Sequence, residues 1–215
     1  MTPLILAIDT THEYGSLALA RGQEVLEEVE IHAPTGFAQV LYGAVSALLE
    51  RHGVTVAEID RFAAASGPGS FTGVRVGLAC VKGLAEAVGK PAVAVSTLEA
   101  IARFGKGPLR AALLDARRGD VYAAVFDGEG QLVVPGSVGK PDVFLSVLPE
   151  CEIVFVSPDF TAFGDALPAA PRISAPRALA GAIAQIACER EPQDPAALDA
   201  NYVRRSDAEL FWKDY

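Results

Sequence analysis

The chain has 215 residues, of which 51% are hydrophobic, and it carries a formal net charge of −9 at pH 7. This length can bury a sizeable core, in one large domain or in two small lobes. Neither half of the chain is basic, which argues against a surface that holds an RNA backbone without help from a partner. No apolar run reaches the ~18 to 20 residues of a membrane span, and Asp9 interrupts the first apolar run too early for a signal peptide, so we expect a cytoplasmic protein.

The first half of the chain alternates strands and helices in the order βββαβαβα. Apolar runs that end at turn residues predict the strands, and apolar spacing of three and four residues predicts the helices. The predicted strands cover residues 4–10, 16–20, 24–31, 61–66 and 92–95, and the predicted helices cover 36–51, 72–88 and a stretch that begins at 96 or 97. The first three strands form an antiparallel meander with the third at an exposed edge. Ser96 and Glu99 are spaced as a capping box.

The second half opens in the same way after a break at residues 106–108. Strands are predicted at 109–114, 121–126, 131–134 and 153–157, and helices at 141–148 and 176–189. The first strand of each half ends in an aspartate, Asp9 or Asp115. We therefore predict an α/β duplication, with an N-terminal lobe over 1–105 and a C-terminal lobe over 106–215. Residues 192–215 are predicted as a return segment that ends in a short polar helix.

The cysteines and histidines do not match a disulfide framework or a metal site. The cysteines are Cys80, Cys151 and Cys188, and the histidines are His12, His32 and His52. Three cysteines at wide spacing in apolar or helical surroundings predict thiols in the core. The histidines lack the i, i+4 spacing that would place two imidazoles on one helix face, so no metal is expected.

The most informative stretch runs from residue 67 to residue 83. Its opening Gly-Pro-Gly predicts a turn after a strand, and Ser70 or Thr72 can cap the helix that follows. The charges at 75, 82 and 86 lie on one narrow stripe, so the rest of the helix surface is more apolar than a single core requires. A well-buried helix is the simplest interpretation, and an anion site at the helix N-terminus is an alternative. The glycine spacing G-x-G-x-x-x-G fits neither a dinucleotide fingerprint nor a P-loop.

The block from Ser66 to Leu78, Ser-Gly-Pro-Gly-Ser-Phe-Thr-Gly-Val-Arg-Val-Gly-Leu, closely resembles the signature of the TsaB family, also called YeaZ. Further blocks match in order at residues 7–11, 95–98, 115–122 and 202–204. The resemblance implies an actin-like, ribonuclease-H-like duplication in which each lobe is a mixed sheet with flanking helices. It also implies a role in the bacterial machinery that installs threonylcarbamoyl on the adenosine beside the anticodon of tRNAs that read codons beginning with A.

The resemblance further implies the partners of the chain. A TsaB-like chain is a non-catalytic subunit that binds and organises a TsaD-type catalytic paralogue, with a TsaE-type ATPase as the third component, and it forms a homodimer when alone. It meets tRNA only through the complex and meets no membrane. The isolated chain is expected to hold no cofactor, and nucleotide binding at a surface shared with a partner stays open. Many TsaB sequences carry a histidine near the position of Gly36, which this chain lacks.

In the family, the two helices of the first lobe pack against the equivalent pair of the partner or of a second copy. Those helices are predicted here at 36–51 and 72–88, and both are apolar over more than one face. The residues expected at the interface are Val40, Ala44, Ala47, Gly73, Val76, Gly77, Cys80 and Gly83. Small residues let two helices approach closely, and the apolar ones supply area that is removed from water.

A catalytic site is harder to assemble from this sequence. Actin-like kinases and ATPases hold phosphates between two hairpins, where Asp9 and Asp115 would lie. Arg117 and Arg118 stand where small glycines would let backbone N–H groups reach a phosphate. These four residues are candidates for a site, with capping of strand ends and turns as the alternative. An actin-like ATPase or small-molecule kinase and a metallopeptidase are the rival functions, which ATP binding and metal analysis would separate.

Overall fold

A computed structural model describes residues 2–201 and residue 203, apart from the side chains of residues 164 and 165. The predicted short polar helix near the C-terminus, and positions 202 and 204 of the 202–204 block, lie outside the described residues. Within the described chain, no helix is both long enough and apolar enough to cross a membrane.

The first sheet has five strands in the order β3-β2-β1-β4-β5. They are Leu4–Asp9 (β1), Tyr14–Arg21 (β2), Glu24–His32 (β3), Arg61–Ala65 (β4) and Ala92–Val95 (β5). β1, β2 and β3 are antiparallel neighbours, while β4 and β5 join in parallel. The predicted meander is confirmed, and so is the edge position of β3, along which exposed and half-buried residues alternate.

Two helices cover one face of this sheet, Leu41–Arg51 (α1) and Phe71–Val88 (α2). The start predicted for α1 at residue 36 is wrong, because residues 37–40 form turns before the helix begins. Phe37 is nevertheless buried in the same core as Leu41, Val45 and Leu48. The apolar stripe that predicted the helix is therefore real, although its first member lies in a turn.

The second sheet also has five strands, in the order β10-β9-β6-β7-β8. They are Leu109–Asp115 (β6), Val121–Asp127 (β7), Leu132–Gly139 (β8), Ile153–Ser157 (β9) and Arg172–Ser174 (β10). A short helix, Pro141–Leu145 (α4), packs on one side through the buried Phe144. The sequence did not predict the edge strand β10, which has three residues and only one half-buried side chain.

The two remaining helices cross between the halves of the chain. They are Thr97–Ala102 (α3) and Ala180–Glu189 (α5). α3 follows the first sheet in sequence but packs on β6 and β7, whereas α5 follows the second sheet but packs on β1 and β2. One buried core accordingly contains residues of both sheets, such as Ala7 and Ala18 of the first and Ala112 and Phe126 of the second.

Two details of these helices correct the sequence interpretation. α5 begins at Ala180, four residues after the predicted start. The predicted capping box at Ser96 is not formed, because the Ser96 side chain makes no cap hydrogen bond. Glu99 instead pairs with Arg190 at the end of α5.

The chain returns to the first sheet after α5. Gln193 pairs with Ala92 in an isolated antiparallel bridge. Leu198 is buried in the core under α1 and α2, and the Asn201 amide donates a hydrogen bond to the Ser66 carbonyl at 2.7 Å. The predicted return segment is thus present through residue 201, and it fixes the strand end from which α2 departs.

Candidate functional site

The turn before α2 brings the helix very close to β1. Ser70 caps the helix by accepting a hydrogen bond from the Gly73 amide at 3.3 Å, as the sequence predicted. The Thr10 hydroxyl donates to the Gly73 carbonyl at 2.7 Å. A Cβ atom at Gly73 would lie 1.9 Å from the Thr10 carbonyl oxygen, and one at Gly77 would lie 2.5 Å from Thr10 Oγ1. Both glycines are therefore required for packing inside this chain, so the expectation that they face a partner is wrong.

Cys80 also faces inward. The residue is buried, and burial raises the pKa of its thiol to about 11, so the thiol is protonated at neutral pH. The side chain of Tyr42 in α1 interacts with this thiol across the contact between the two helices. The predicted core position is confirmed for Cys80, while Cys188 is half-buried and Cys151 is exposed, so the same prediction is wrong for Cys151.

The other predicted interface residues lie at the surface of α1, of the turn before it and of α2. Ala44 and Val76 are half-buried, and Val40, Ala47 and Gly83 are exposed. No atom lies within 4 Å of the position that a Cβ at Gly83 would take. We call the surface formed by Val40, Tyr42, Ala44, Ala47, Phe71, Val76 and Gly83 the α1–α2 face.

Two large members of this face were not predicted. Tyr42 is 57% exposed and Phe71 is 38% exposed, compared with 43% for Val40. The guanidinium of Arg75 lies 3.7 Å from the centroid of the Phe71 ring, in cation–π geometry. The spacing of four residues between Phe71 and Arg75 was the sequence signal that could have indicated this pair.

A second group of polar residues lies where the first strand of each half ends. The Asp9 carboxylate accepts hydrogen bonds from the amide and the hydroxyl of Thr11, at 2.9 and 2.7 Å, through Oδ1. Its Oδ2 is buried without a hydrogen-bond partner among the described residues. Burial raises the pKa of this carboxyl, although nearby His12 and the Thr11 hydrogen bonds act against that shift.

The turn after β6 faces this group. Asp115 accepts a hydrogen bond from the Arg117 amide at 2.7 Å, and both Arg117 and Arg118 adopt left-handed backbone conformations, with φ of 62° and 56°. His12 interacts electrostatically with Asp9, Arg117 and Asp115. Burial is the largest cause that lowers the pKa of His12, so the imidazole is neutral near pH 7.

Asp9, His12, Asp115 and Arg117 therefore form one cluster, which we call the turn cluster. The sequence predicted three of its members but not that His12 would join them. The carbonyl oxygen of Arg118 accepts a hydrogen bond from the Lys140 ammonium at 3.0 Å, outside the turn cluster.

The turn cluster differs from a phosphate cradle in its use of polar groups. Thr11 N–H and Arg117 N–H, which could face a phosphate, are already bonded to Asp9 and Asp115. In the loop after β9, Asp159 likewise accepts hydrogen bonds from the amide and hydroxyl of Thr161, so these two donors are also engaged within the chain. Over residues 2–201, no three His, Cys, Asp or Glu side chains are grouped closely enough to hold a metal ion.

Structural comparison defines the class of protein. A solved structure described as an uncharacterized protein with similarity to peptidase YEAZ from Pseudomonas aeruginosa superposes with a TM-score of 0.81 at 26% identity, over 94% of this chain and 100% of that chain. With two mixed sheets, each opened by an antiparallel meander and flanked by helices, the chain is a two-lobed α/β protein of the actin-like class, as predicted.

Sequence comparison identifies the family. The family model described as TsaD: tRNA N6-adenosine threonylcarbamoyltransferase matches residues 25–185. The tRNA threonylcarbamoyladenosine biosynthesis protein TsaB of Bacillus subtilis (strain 168) is 30% identical over 97% of each chain. TsaB of Escherichia coli (strain K12) is 35% identical over 65% of this chain and 63% of its own length. The chain belongs to the TsaB family, also called YeaZ, which confirms the resemblance of its signature block.

Proposed function

We propose that this chain is a non-catalytic subunit of the machinery that makes N6-threonylcarbamoyladenosine in tRNA, and that its α1–α2 face binds a TsaD-type catalytic paralogue. The relatives in B. subtilis and E. coli are both named as proteins of tRNA threonylcarbamoyladenosine biosynthesis, which supports the role. The finer assignment, to a binding and organising subunit, depends on the surface of α1 and α2.

The observation that carries the proposal is the apolar surface of the α1–α2 face. Tyr42 and Phe71 expose large apolar side chains on helices that already cover the first sheet with their other sides, and Val40 does so in the turn before α1. Exposed aromatic residues beside aliphatic ones are typical of interface centres. The small residues Ala47 and Gly83 leave room for a second pair of helices to approach closely.

The match to a TsaD family model suggests the geometry of the complex. If the paralogue shares the fold of this chain, its equivalent helices can meet α1 and α2 about an approximate two-fold axis. A surface that meets its equivalent on the paralogue in this way can also meet the same surface on a second copy of this chain, because a two-fold homodimer uses one patch twice. We therefore infer that two copies associate through the α1–α2 face when the paralogue is absent, and that the two complexes compete.

The turn cluster supports a non-catalytic role. The backbone donors of its two turns are engaged by Asp9 and Asp115, and arginines occupy the positions where an actin-like ATPase has glycines. A nucleotide would then bind only where a partner completes the site. The net charge of −9 also fits a chain that reaches tRNA through the complex, in which a TsaE-type ATPase is the third component.

The interface is tested by placing a charge on the α1–α2 face without disturbing the core. Gly83→Arg adds a long cation at an exposed helix position and improves helix propensity, so the variant should fold. Val143→Arg makes the same change in charge at an exposed position of α4, on the other half of the molecule. Calorimetry with the purified paralogue should show at least a tenfold loss of affinity for Gly83→Arg and none for Val143→Arg. Sedimentation of the chain alone should show the same contrast in dimer formation.

The assay of function is tRNA modification in a reconstituted system. We expect Gly83→Arg to reduce threonylcarbamoylation together with paralogue binding, while Val143→Arg retains both. Unchanged paralogue affinity in a folded Gly83→Arg variant would place the interface elsewhere.

The rival enzymatic functions are tested on the isolated chain. We expect no ATP hydrolysis above background and no stoichiometric iron or zinc by elemental analysis. ATP turnover at an enzymic rate, or one metal ion per chain, would instead assign a kinase, ATPase or metallopeptidase.

A further inference from the structure

The second sheet is covered less completely than the first on the side of the core that the two sheets share. α5 packs on all five strands of the first sheet, whereas the short helix α3 packs mainly on β6, β7 and β9. Leu132 of the edge strand β8 pairs with Phe126 of that core, and yet it is 55% exposed. This side of β8 therefore lacks the cover that α5 gives to the first sheet.

A cleft of about 440 Å³ lies beside this exposed side of β8. Its walls come from α3, from the C-terminal end of α5 and from the turn between β7 and β8, and its apolar lining includes Leu98, Phe126, Leu132 and Ile186. The volume is in the range that holds a drug-sized molecule, which is room for more than one large side chain. Nothing in the proposed function uses this cleft.

The return segment reaches the cleft at its last described residues. Asn201 lines it, and Val203 packs against the shared core. A Cβ atom at Gly136 would lie 3.6 Å from Val203 Cγ2 and 3.9 Å from Leu98 Cδ1. Gly136 and Leu98 are both lining residues, so the chain is at the edge of the cleft where its described part ends.

Residues 204–215 lie outside the described part, but their sequence is apolar on one side. Ser206 and Glu209 are spaced as a capping box, which predicts a helix that begins next to Ser206. This helix is polar over most of its surface. One face is not, since the spacing i, i+3, i+4, i+7 joins Ala208, Phe211, Trp212 and Tyr215.

This apolar face is long enough to reach from Val203 into the cleft. Gly136 and Leu132 lie on the same strand, about 13 Å apart at ~3.3 Å per residue. Two extended residues followed by a helix from residue 206 to residue 212 span about 16 Å. Phe211 and Trp212 can therefore reach Leu132 while Val203 keeps its contact at Gly136.

The charges beside the cleft also suit this segment. Glu129 lines the cleft and forms no ion pair with another described residue, whereas the other two lining glutamates are paired with arginines at the ends of α3 and α5. Arg204 and Arg205 directly follow Val203 and supply cations for Glu129. An exposed ion pair adds little energy, so apolar contact is the main term.

We propose that the apolar face of residues 206–215 docks in this cleft, with Phe211 and Trp212 against Leu132 and Phe126. The segment then covers β8 as α5 covers the strands of the first sheet, and it closes the cleft to small molecules. Removal of the aromatic side chains from water drives the docking. The inference goes beyond the proposed function and concerns a different surface, so either can fail without the other.

Trp212 is the only tryptophan of the chain, so its fluorescence reports the docking directly. In the full chain we expect its emission maximum at shorter wavelength, and its quenching by acrylamide to be weaker, than in the same chain unfolded in urea. Both quantities should be independent of protein concentration, because the contact lies within one molecule.

Substitutions at Leu132 test where the segment docks. Leu132→Glu and Leu132→Lys place opposite charges in the contact, and both should move the emission of Trp212 to longer wavelength and increase its quenching. Val143→Glu and Val143→Lys are the matched controls and should change neither, since Val143 is 62% exposed on α4, which packs on the other face of the second sheet. Circular dichroism should show that all four variants keep the fold, because both positions are exposed.

Emission and quenching of Trp212 that match the unfolded chain would overturn the proposal. Equal responses to the substitutions at Leu132 and at Val143 would also overturn it, because the segment would then cover another surface. Protection of Trp212 that disappears on dilution would instead assign the contact to a second copy of the chain.

Discussion

Three glycines of α2 show how one residue type serves opposite purposes in one helix. Gly73 and Gly77 lie against Thr10 with no room for a Cβ atom, whereas Gly83 has open space around it. We expect Gly73→Ala to lower the free energy of unfolding by about 1–3 kcal/mol or more, since the new methyl group overlaps a backbone carbonyl. We expect Gly83→Ala to raise it by about 0.5–1 kcal/mol, because alanine is the better helix former.

Urea denaturation of the two variants measures both effects in the same helix. A loss of stability in Gly83→Ala would mean that its open surroundings are not as described. A neutral effect of Gly73→Ala would mean that α2 can move away from β1 at little cost.

Asp9 is a residue whose ionisation opposes folding. Burial raises the pKa of its carboxyl in the folded state. The protonated carboxyl therefore stabilises the fold. This contribution to the free energy of unfolding is complete below the ordinary pKa of aspartate and is lost as the pH rises through the folded pKa. Asp9→Asn keeps an acceptor for Thr11 and removes this titration. We expect the free energy of unfolding of the variant, relative to the unchanged chain, to increase from about pH 4 to about pH 7.

The neighbouring His12 acts in the same direction in this comparison. Its pKa is lowered in the folded state, so it destabilises the fold as the pH falls, and more strongly once the attraction of Asp9 is gone. Urea titrations at several pH values measure the trend. A difference that stays constant with pH would show that Asp9 has the same pKa in the folded and unfolded chain.

At the scale of elements, α5 is held at its N-terminus by the first sheet. The buried Ser16 hydroxyl accepts hydrogen bonds from the amides of Leu179 and Ala180 at 3.0 and 2.9 Å. Glu28 accepts one from the Gly181 amide at 2.7 Å. These side chains satisfy the free N–H groups of the first turn, as a local cap does in other helices.

We expect Ser16→Ala to cost about 1–2 kcal/mol of unfolding free energy, because it leaves two buried amides without an acceptor. Hydrogen exchange should accelerate first at Leu179 and Ala180. Ser146→Ala is the matched control, since Ser146 is exposed and, among the described residues, its hydroxyl bonds only to the Val143 carbonyl. Equal effects of the two substitutions would show that the contact between β2 and α5 contributes nothing to stability.

The elements that the sequence predicted best are those defined by contacts within a short stretch. The strands at 92–95 and 153–157 match the structure because an apolar run between turn residues has few alternatives. The start of α1 was predicted at the wrong residue, because Phe37 belongs to the apolar stripe although its backbone is in a turn. Ser96 does not cap α3, and the glutamate of the predicted capping box pairs instead with the distant Arg190.

The site was predicted less completely than the fold. The sequence marked α1 and α2 as too apolar for one core, but it did not separate the small residues that pack on the first sheet, such as Gly73 and Gly77, from those that face solvent, such as Gly83. Gly77 packs against Thr10, which lies far away along the chain, whereas Gly83 has open space around it. His12 joined the turn cluster for the same reason, since its partners at Asp115 and Arg117 belong to the other half.

For the whole molecule, the crossing of α3 and α5 makes each sheet depend on the other half. The face of the first sheet that carries Ile5, Ala7 and Ala18 is covered by α5. Residues 1–105 therefore contain all five strands of the first sheet but not the helix that covers this face. This interdependence was not predictable from element order alone, because both helices have the composition expected of helices in their own lobe.

We expect a fragment of residues 1–105 to remain without a cooperative fold. Removal of α5 exposes the apolar face that it covers, and a sheet with one bare face tends to associate or unfold. Dispersion in the amide region of an NMR spectrum, compared with that of the whole chain, gives the measurement. A dispersed spectrum with a sharp urea transition would show instead that the first sheet is stable without α5.

The position of α5 also sets the timetable of folding during synthesis. The ribosome completes all five strands of the first sheet long before it makes Ala180–Glu189, and at ordinary rates of translation the interval is on the order of several seconds. For that time a nascent chain carries an apolar sheet face with nothing from its own sequence to cover it. Chaperones that hold such surfaces should therefore bind ribosome-attached chains that end before α5, and should release them soon after that helix emerges.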